Sequence, residues 1–211
     1  GKHQSTLFTV LKQAKEQGHN CLIDLDNRKH VLKRPPSQKQ FTLSEEELQK
    51  IREIDVSEDE SLIVAKKYVL IAASTGLRIQ SMFEAANKKI EIYQKGNTTF
   101  KYIHSFYEKT DTWCVVPLFK PALEVIENDT FPIFKTGVNE HIKRLFERAE
   151  ITRVVTLERV GFKKKKELIS VPISSAVSSH DFRKTMYTNL SALGMTEEAI
   201  ELITHPKKGG K

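Results

Sequence analysis

Apolar residues recur every three or four positions over most of this chain, and alternate with polar ones in one central stretch. The first period belongs to helices with one buried face, the second to half-buried strands. From Thr6 to Gln17 the residues Leu7, Phe8, Val10, Leu11 and Ala14 predict a helix, stopped by Gly18-His19-Asn20. From Asn27 to Gln40 the chain turns polar and basic around Lys33-Arg34-Pro35-Pro36-Ser37, a linker composition. Helical spacing resumes after Phe41, where Ser44 and Glu47 have the spacing of a capping box and Glu45 and Glu46 suit a helix start. A helix from about Glu58 to Ser74 carries Leu62, Ala65, Val69, Leu70 and Ala73 as its buried stripe. Thr75-Gly76-Leu77-Arg78 ends it and turns the chain into another helix through about Ala86, with Gly76 supplying the tight turn.

After Lys88 the pattern alternates. Ile90 to Tyr93, Thr98 to Ile103 and Trp113 to Val116 read as three strands joined by turns at Gly96-Asn97 and Thr110-Asp111, a small antiparallel sheet. Trp113 is expected in the sheet core. Pro117-Leu118 ends the last strand, and helices follow through about Ile126 and from Gly137 to Ala149, with Ile142, Leu145 and Phe146 as the core face of the second. Ile151 to Leu157 reads as strand or extended chain, and Lys163 to Lys166 as a solvated loop. A helix from His180 to about Ala192 is broken by Gly194, and Thr196 caps a last short one, Glu197 to Ile203. Mostly helical elements with one small inserted sheet predict an α+β fold.

Composition narrows the class. The 211 residues suffice for one substantial domain plus a fragment, or for two small domains. No apolar run reaches the ~18 residues that cross a bilayer. Cys21 and Cys114 have no metal-ligand spacing, which fits structural thiols in a reducing cytoplasm. The net charge of +7 favours a polyanionic partner.

The candidate chemistry is cationic. His180 and Arg183 lie three residues apart at the start of a helix, on one face and at the positive end of its dipole. An imidazole, a guanidinium and backbone N–H groups together suit a phosphate. Three further segments share the theme: Arg78 beside a helix–helix turn, Lys109 at a hairpin tip in Glu108-Lys109-Thr110-Asp111-Thr112, and His205 after the last short helix.

In that order, with the sheet between the first and third, these motifs resemble the tyrosine recombinases, the phage and transposon integrases and the resolvases. The resemblance covers Phe41 to His205. It implies that residues 1–40 are the C-terminal remnant of a core-binding domain plus a linker, and that 41–211 are a catalytic domain. It implies site-specific DNA recombination (integration or excision) through a 3′-phosphotyrosyl intermediate, without metal or other cofactor. Arg78 and Arg183 would then grip the scissile phosphate, Lys109 would protonate the leaving 5′ oxygen, His180 would handle the nucleophile's proton, and His205 would donate to a non-bridging oxygen. Arg78, Lys109, Arg183 and Lys184 would contact DNA. The expected partner is double-stranded DNA, bound by a homo-tetramer in the synaptic complex and a monomer in isolation, with no membrane.

Two departures stand out. The family's nucleophilic tyrosine follows the second histidine, whereas Lys207-Lys208-Gly209-Gly210-Lys211 contains none. The catalytic domain is therefore expected to be truncated before its nucleophile, with no nucleophile in this chain, and Tyr187 is given to packing. The acidic residue that often follows the first arginine by three positions is Ser81 here. Plainer readings exist for each residue. Arg78 could cap the preceding helix, Lys109 could be an ordinary hairpin lysine, His180 and Arg183 could be a core histidine and a surface arginine, and His205 a loop residue. At the level of the whole chain, the alternatives are a non-catalytic DNA-binding relative and a small-substrate phosphate hydrolase. No Gly-rich phosphate loop supports the hydrolase.

Overall fold

The segment with apolar residues on every side, 60–75, is the one the fold is built around. The computed structural model describes residues 2–19, 41–85, 89–107, 111–126, 131–133, 137–160 and 166–204. The chain divides into two compact units, residues 1–39 with 158–167 and residues 40–157 with 168–211. In the first, helix α1 (Lys2–Glu16) ends in a Schellman turn: Gly18 has φ +88°, His19 N donates to Ala14 O and Gly18 N to Lys15 O.

The second unit is organised by α3 (Glu60–Thr75). Asp59 caps its start, accepting from the backbone N–H groups of Ser61 and Leu62. Those bonds, that of the Ser61 side chain foremost, and the Arg144 guanidinium 2.7 Å away, hold the Asp59 carboxyl down at about 2. Leu62, Ala65, the whole run Tyr68 to Ala73, and Thr75 are buried, so α3 presents more than a stripe. It packs against α2 (Glu45–Glu53), α5 (Lys120–Leu123), α6 (Val138–Arg148) and α8 (Asp181–Ala192). Phe182 of α8 meets Tyr68 edge-on at 6.1 Å and Phe146 of α6 at 6.4 Å. The capping box at α2 forms as expected, with Glu47 N donating to Ser44 Oγ and Ser44 N to Glu47 Oε2. Glu47 also accepts two N–H groups of Arg153, at 2.7 and 2.9 Å.

After α4 (Ile79–Ala85) come β1 (Glu91–Lys95), β2 (Thr98–Tyr107) and β3 (Thr112–Pro117), an antiparallel sheet in the order β1-β2-β3. Tyr102 pairs with Pro117, and Tyr107 with Thr112 at the other end. Along β2 and β3, Ile103, Ser105, Tyr107, Cys114 and Val116 point inward and are buried. The fold is α+β and mainly helical, with a small three-stranded sheet.

Several details differ from the expectations. Trp113 is not sheet core: it is 63% exposed, because Cys114 and Val116, one and three residues on, take the inward positions and the strand alternates. The helix after Pro117 is only the single turn α5, which has Pro near its start and gives way to turn backbone at Glu124. β4 (Val154–Val160) overlaps the stretch expected as strand or extended chain, but its pairing with β5 (Lys166–Pro172) in a two-stranded sheet, and the short α7 (Ile173–Ala176), were not foreseen. The last helix, α9 (Glu197–Thr204), lies where the spacing put it and packs on both β3 and α8. Cys21, the 27–40 linker and nearly all of the Lys163–Lys166 run lie outside the described residues. No helix among the described residues is long and apolar enough to cross a membrane.

Candidate functional site

Gly76 is where the site begins. It ends α3 in the left-handed conformation, φ +64°, with its N–H on Ala72 O at 2.9 Å. A Cβ there would meet Met186 Sδ at 3.1 Å, Thr204 Cγ2 at 3.6 Å and Arg183 Cγ at 3.7 Å. So α3, α8 and α9 converge on a position that only glycine fits without strain. The turn sets Arg78 at the entry to α4, where its carbonyl accepts Met82 N. The Gly76 carbonyl receives Arg183, whose Nη1 donates to Gly76 O at 2.7 Å. One turn thereby fixes both arginines.

Arg183 is only 5% exposed. Nη1 also donates to Tyr107 Oη at 3.5 Å, but Nε and Nη2 are buried without a hydrogen-bond partner. Among the described residues, no carboxylate pairs with Arg183 or Arg78. The aromatic ring of Tyr107 takes that place, with Arg183 Cζ at 5.3 Å and Arg78 Cζ at 5.7 Å from its centroid. The mutual repulsion is visible in the ionisation of Arg78, which is pushed down first by burial and then by the charge on Arg183. Burial raises the Tyr107 phenol, so it stays protonated at neutral pH. A buried guanidinium with two empty donors and no counter-charge is expensive in a protein interior. An oxyanion placed there would relieve the cost.

The sheet fastens α9 next to this pair. Tyr107 Oη donates to Ile203 O at 3.3 Å, and Cys114 Sγ donates to Leu202 O at 3.0 Å and to Ile203 O at 3.3 Å. These are last-turn carbonyls, which a helix cannot satisfy by itself. Burial pushes the Cys114 thiol up to about 11, which keeps it a donor.

His180 and Arg183 have opposite fates. His180 is exposed at the N-cap of α8 and makes no capping hydrogen bond, while Arg183 is buried. That reverses the plain reading of a core histidine and a surface arginine. Nor does Arg78 cap α3, since no side-chain hydrogen bond from it occurs among the described residues. Asp181, buried at the same helix start, accepts Ser178 N and Ser178 Oγ at 2.9 and 2.8 Å. Desolvation still raises its carboxyl. Thr185 ties α8 to the entry of α2, accepting Leu43 N and donating to Asp181 O. Lys184 is exposed, and Tyr187 packs with Met186, Leu190 and Ile200. Lys109 and His205 lie outside the described residues. The structure thus brings together Arg78 and Arg183, and adds Tyr107. Sequence reading missed that tyrosine because it ended the strand at Ile103.

None of four surface concavities among the described residues, of 330 to 590 Å³, is lined by Arg78 or Arg183. Among the described residues, no three His, Cys, Asp or Glu side chains are grouped as metal ligands.

The fold occurs in a solved structure of the Tn1549 transposon integrase in complex with transposon right end DNA. The TM-score is 0.52 at 15% identity, over 96% of this chain and 70% of that one. The two share a fold. A second structure of that integrase, with a circular intermediate DNA, gives 0.46 at 13% identity over 92% and 66% of the two chains. That score is too low to add to the argument. No family model and no curated protein matches this sequence.

Proposed function

We propose that this chain belongs to a tyrosine recombinase and grips the scissile phosphate of duplex DNA between Arg78 and Arg183. The observation that carries the reading is the pair itself. Two guanidiniums stand against one ring with no counter-carboxylate among the described residues, and two buried Arg183 nitrogens are unfilled. The shared fold with an integrase solved on DNA, and the net charge of +7, support a nucleic-acid phosphate over a small one.

In this reading a tyrosine oxygen attacks phosphorus, and the bond to the 5′ oxygen breaks. The negative charge that builds on the non-bridging oxygens meets preorganised N–H donors on Arg78 and Arg183. Lys109, which lies between β2 and β3 in the sequence, gives its proton to the leaving 5′ oxygen. His180 takes the proton of the attacking hydroxyl, and His205, directly after α9, donates to a non-bridging oxygen. The 3′-phosphotyrosyl bond keeps the ester energy, so a second 5′ hydroxyl reverses the step on a new partner strand. Lys184 adds a phosphate contact. Residues 1–40 belong to a core-binding domain and 41–211 to the catalytic domain, and synapsis assembles four copies on two duplexes. The nucleophile is not assigned to any residue of this chain.

The test uses the full-length protein and a nicked duplex carrying a site selected from a random pool. The protein should form a covalent adduct that Arg183→Ala lowers by about 100-fold or more. Duplex affinity should change little, because phosphate contacts elsewhere dominate it. An undiminished adduct in Arg183→Ala would refute the assignment. Tight duplex binding with no adduct in the unmutated protein would leave the non-catalytic DNA-binding relative as the correct reading.

A further inference from the structure

Tyr107 closes β2 with its side chain on the inner face of the sheet, 2% exposed. Its ring meets both arginines, and its hydroxyl reaches the last turn of α9. A tyrosine buried only for packing requires neither contact. Two like charges brought to one place need something between them. The usual solution is a carboxylate, which holds guanidiniums firmly through paired hydrogen bonds but cancels their charge. A phenol ring attracts both cations through its quadrupole and stays neutral. The position where a supporting acid could follow Arg78 by one helical turn holds Ser81, which is buried and uncharged.

We infer that Tyr107 is the positioning residue of the arginine pair. Its ring face holds Arg78 and Arg183 in one anion-accepting arrangement without neutralising them, and its hydroxyl ties that arrangement to α9. The inference rests on the reading of the pair as an oxyanion grip. It adds how two unpaired guanidiniums are kept together before any phosphate arrives. It also gives the sheet a role, since Tyr107 lies two residues before Lys109 and bonds the helix that ends one residue before His205. Tyr107 thereby joins the two arginines to β2 and to α9. Arg183 depends on it less than Arg78 does, because Gly76 O already holds one Arg183 nitrogen. The Arg78 side chain has no hydrogen bond among the described residues.

The test is NMR of the arginine Nε–Hε groups in this chain, titrated with inorganic sulfate as the oxyanion probe. In the unmutated protein, the Arg78 and Arg183 signals should show ring-current shifts and should move together on adding sulfate. Tyr107→Met should abolish the ring-current shifts and weaken sulfate by about ten-fold, with the Arg78 signal changing more. Tyr107→Phe should keep the shifts and weaken sulfate only two- to three-fold, through the lost tie to α9. Sulfate that moves both signals and binds Tyr107→Met as tightly as the unmutated chain overturns the role of Tyr107 and leaves the oxyanion reading standing. Sulfate that moves neither signal in the unmutated chain overturns the oxyanion reading itself. If Tyr107→Met does not fold, two results still decide. Absent ring-current shifts in the unmutated protein, or a ten-fold loss in Tyr107→Phe, each overturn the inference.

Discussion

The two faces of the three-stranded sheet are made by alternate residues of the same strands, and they have opposite fates. Inward, Ile103, Ser105, Tyr107, Cys114 and Val116 are buried, holding the arginine pair and the end of α9. Outward, Tyr93, Phe100, Trp113 and Val115 are about half exposed or more, although they are as large and apolar. The outer rings meet mainly each other, Phe106 and Trp113 at 5.4 Å and Tyr93 and Phe100 at 6.4 Å. Apolar content therefore does not select the buried face of a strand. What selects it is the element that docks there, here α9 on β3 and α4 on β2.

This contrast can be broken in order of expected effect. Ile103→Ala on the inner face should cost about 2–5 kcal/mol in urea unfolding, because the packed surroundings collapse only partly into the cavity. A loss comparable to that of an outer-face variant would remove the distinction. Gly76→Ala, where the sheet-supported arginines meet α3, should cost about 1–3 kcal/mol from left-handed strain. Crowding against Met186 Sδ adds to it.

Cys114 offers a chemical version of the same test. Its folded thiol ionises at about 11 against an ordinary 9.0, so folding favours the protonated form. The stability this contributes is whole below pH 9 and is lost as pH rises through about 11. In a Cys21→Ser background at pH 8, iodoacetamide should alkylate Cys114 about 100-fold more slowly in the folded chain than in the unfolded one. Equal rates would mean the inner face is open. The smallest effect belongs outside: Trp113→Ala should change stability by less than about 1 kcal/mol, the scale of one exposed ring pair.

Most helices were legible because their signals are local. Ser44 and Glu47 are three residues apart, Gly76 and Gly194 both end helices with positive φ, and the apolar spacing of α6 and α8 is regular. The sheet order was legible from its turns. What could not be read was long-range. The bond from Arg183 to Gly76 spans 107 residues, and nothing near either position announces it. Trp113 was placed on the wrong face because alternation gives two faces and leaves open which one is covered. Tyr107 was missed for a related reason. A tyrosine at a strand end is unremarkable until two arginines from distant turns meet its ring. The motif order around Arg78, His180 and Arg183 pointed to phosphate chemistry, but their burial, inverted between histidine and arginine, came only from packing.

The central claim is that Arg78 and Arg183 together grip one DNA phosphate. The most direct measurement is a double-mutant cycle on adduct formation by the full-length protein. One leg is Arg183→Ala, and the other replaces the scissile phosphate by a neutral methylphosphonate, which has no anionic oxygen to receive the guanidinium. The account predicts strong coupling: once the phosphate is neutral, Arg183→Ala should cost little more. Independent, additive losses would contradict it, because they would mean that Arg183 acts on something other than that phosphate.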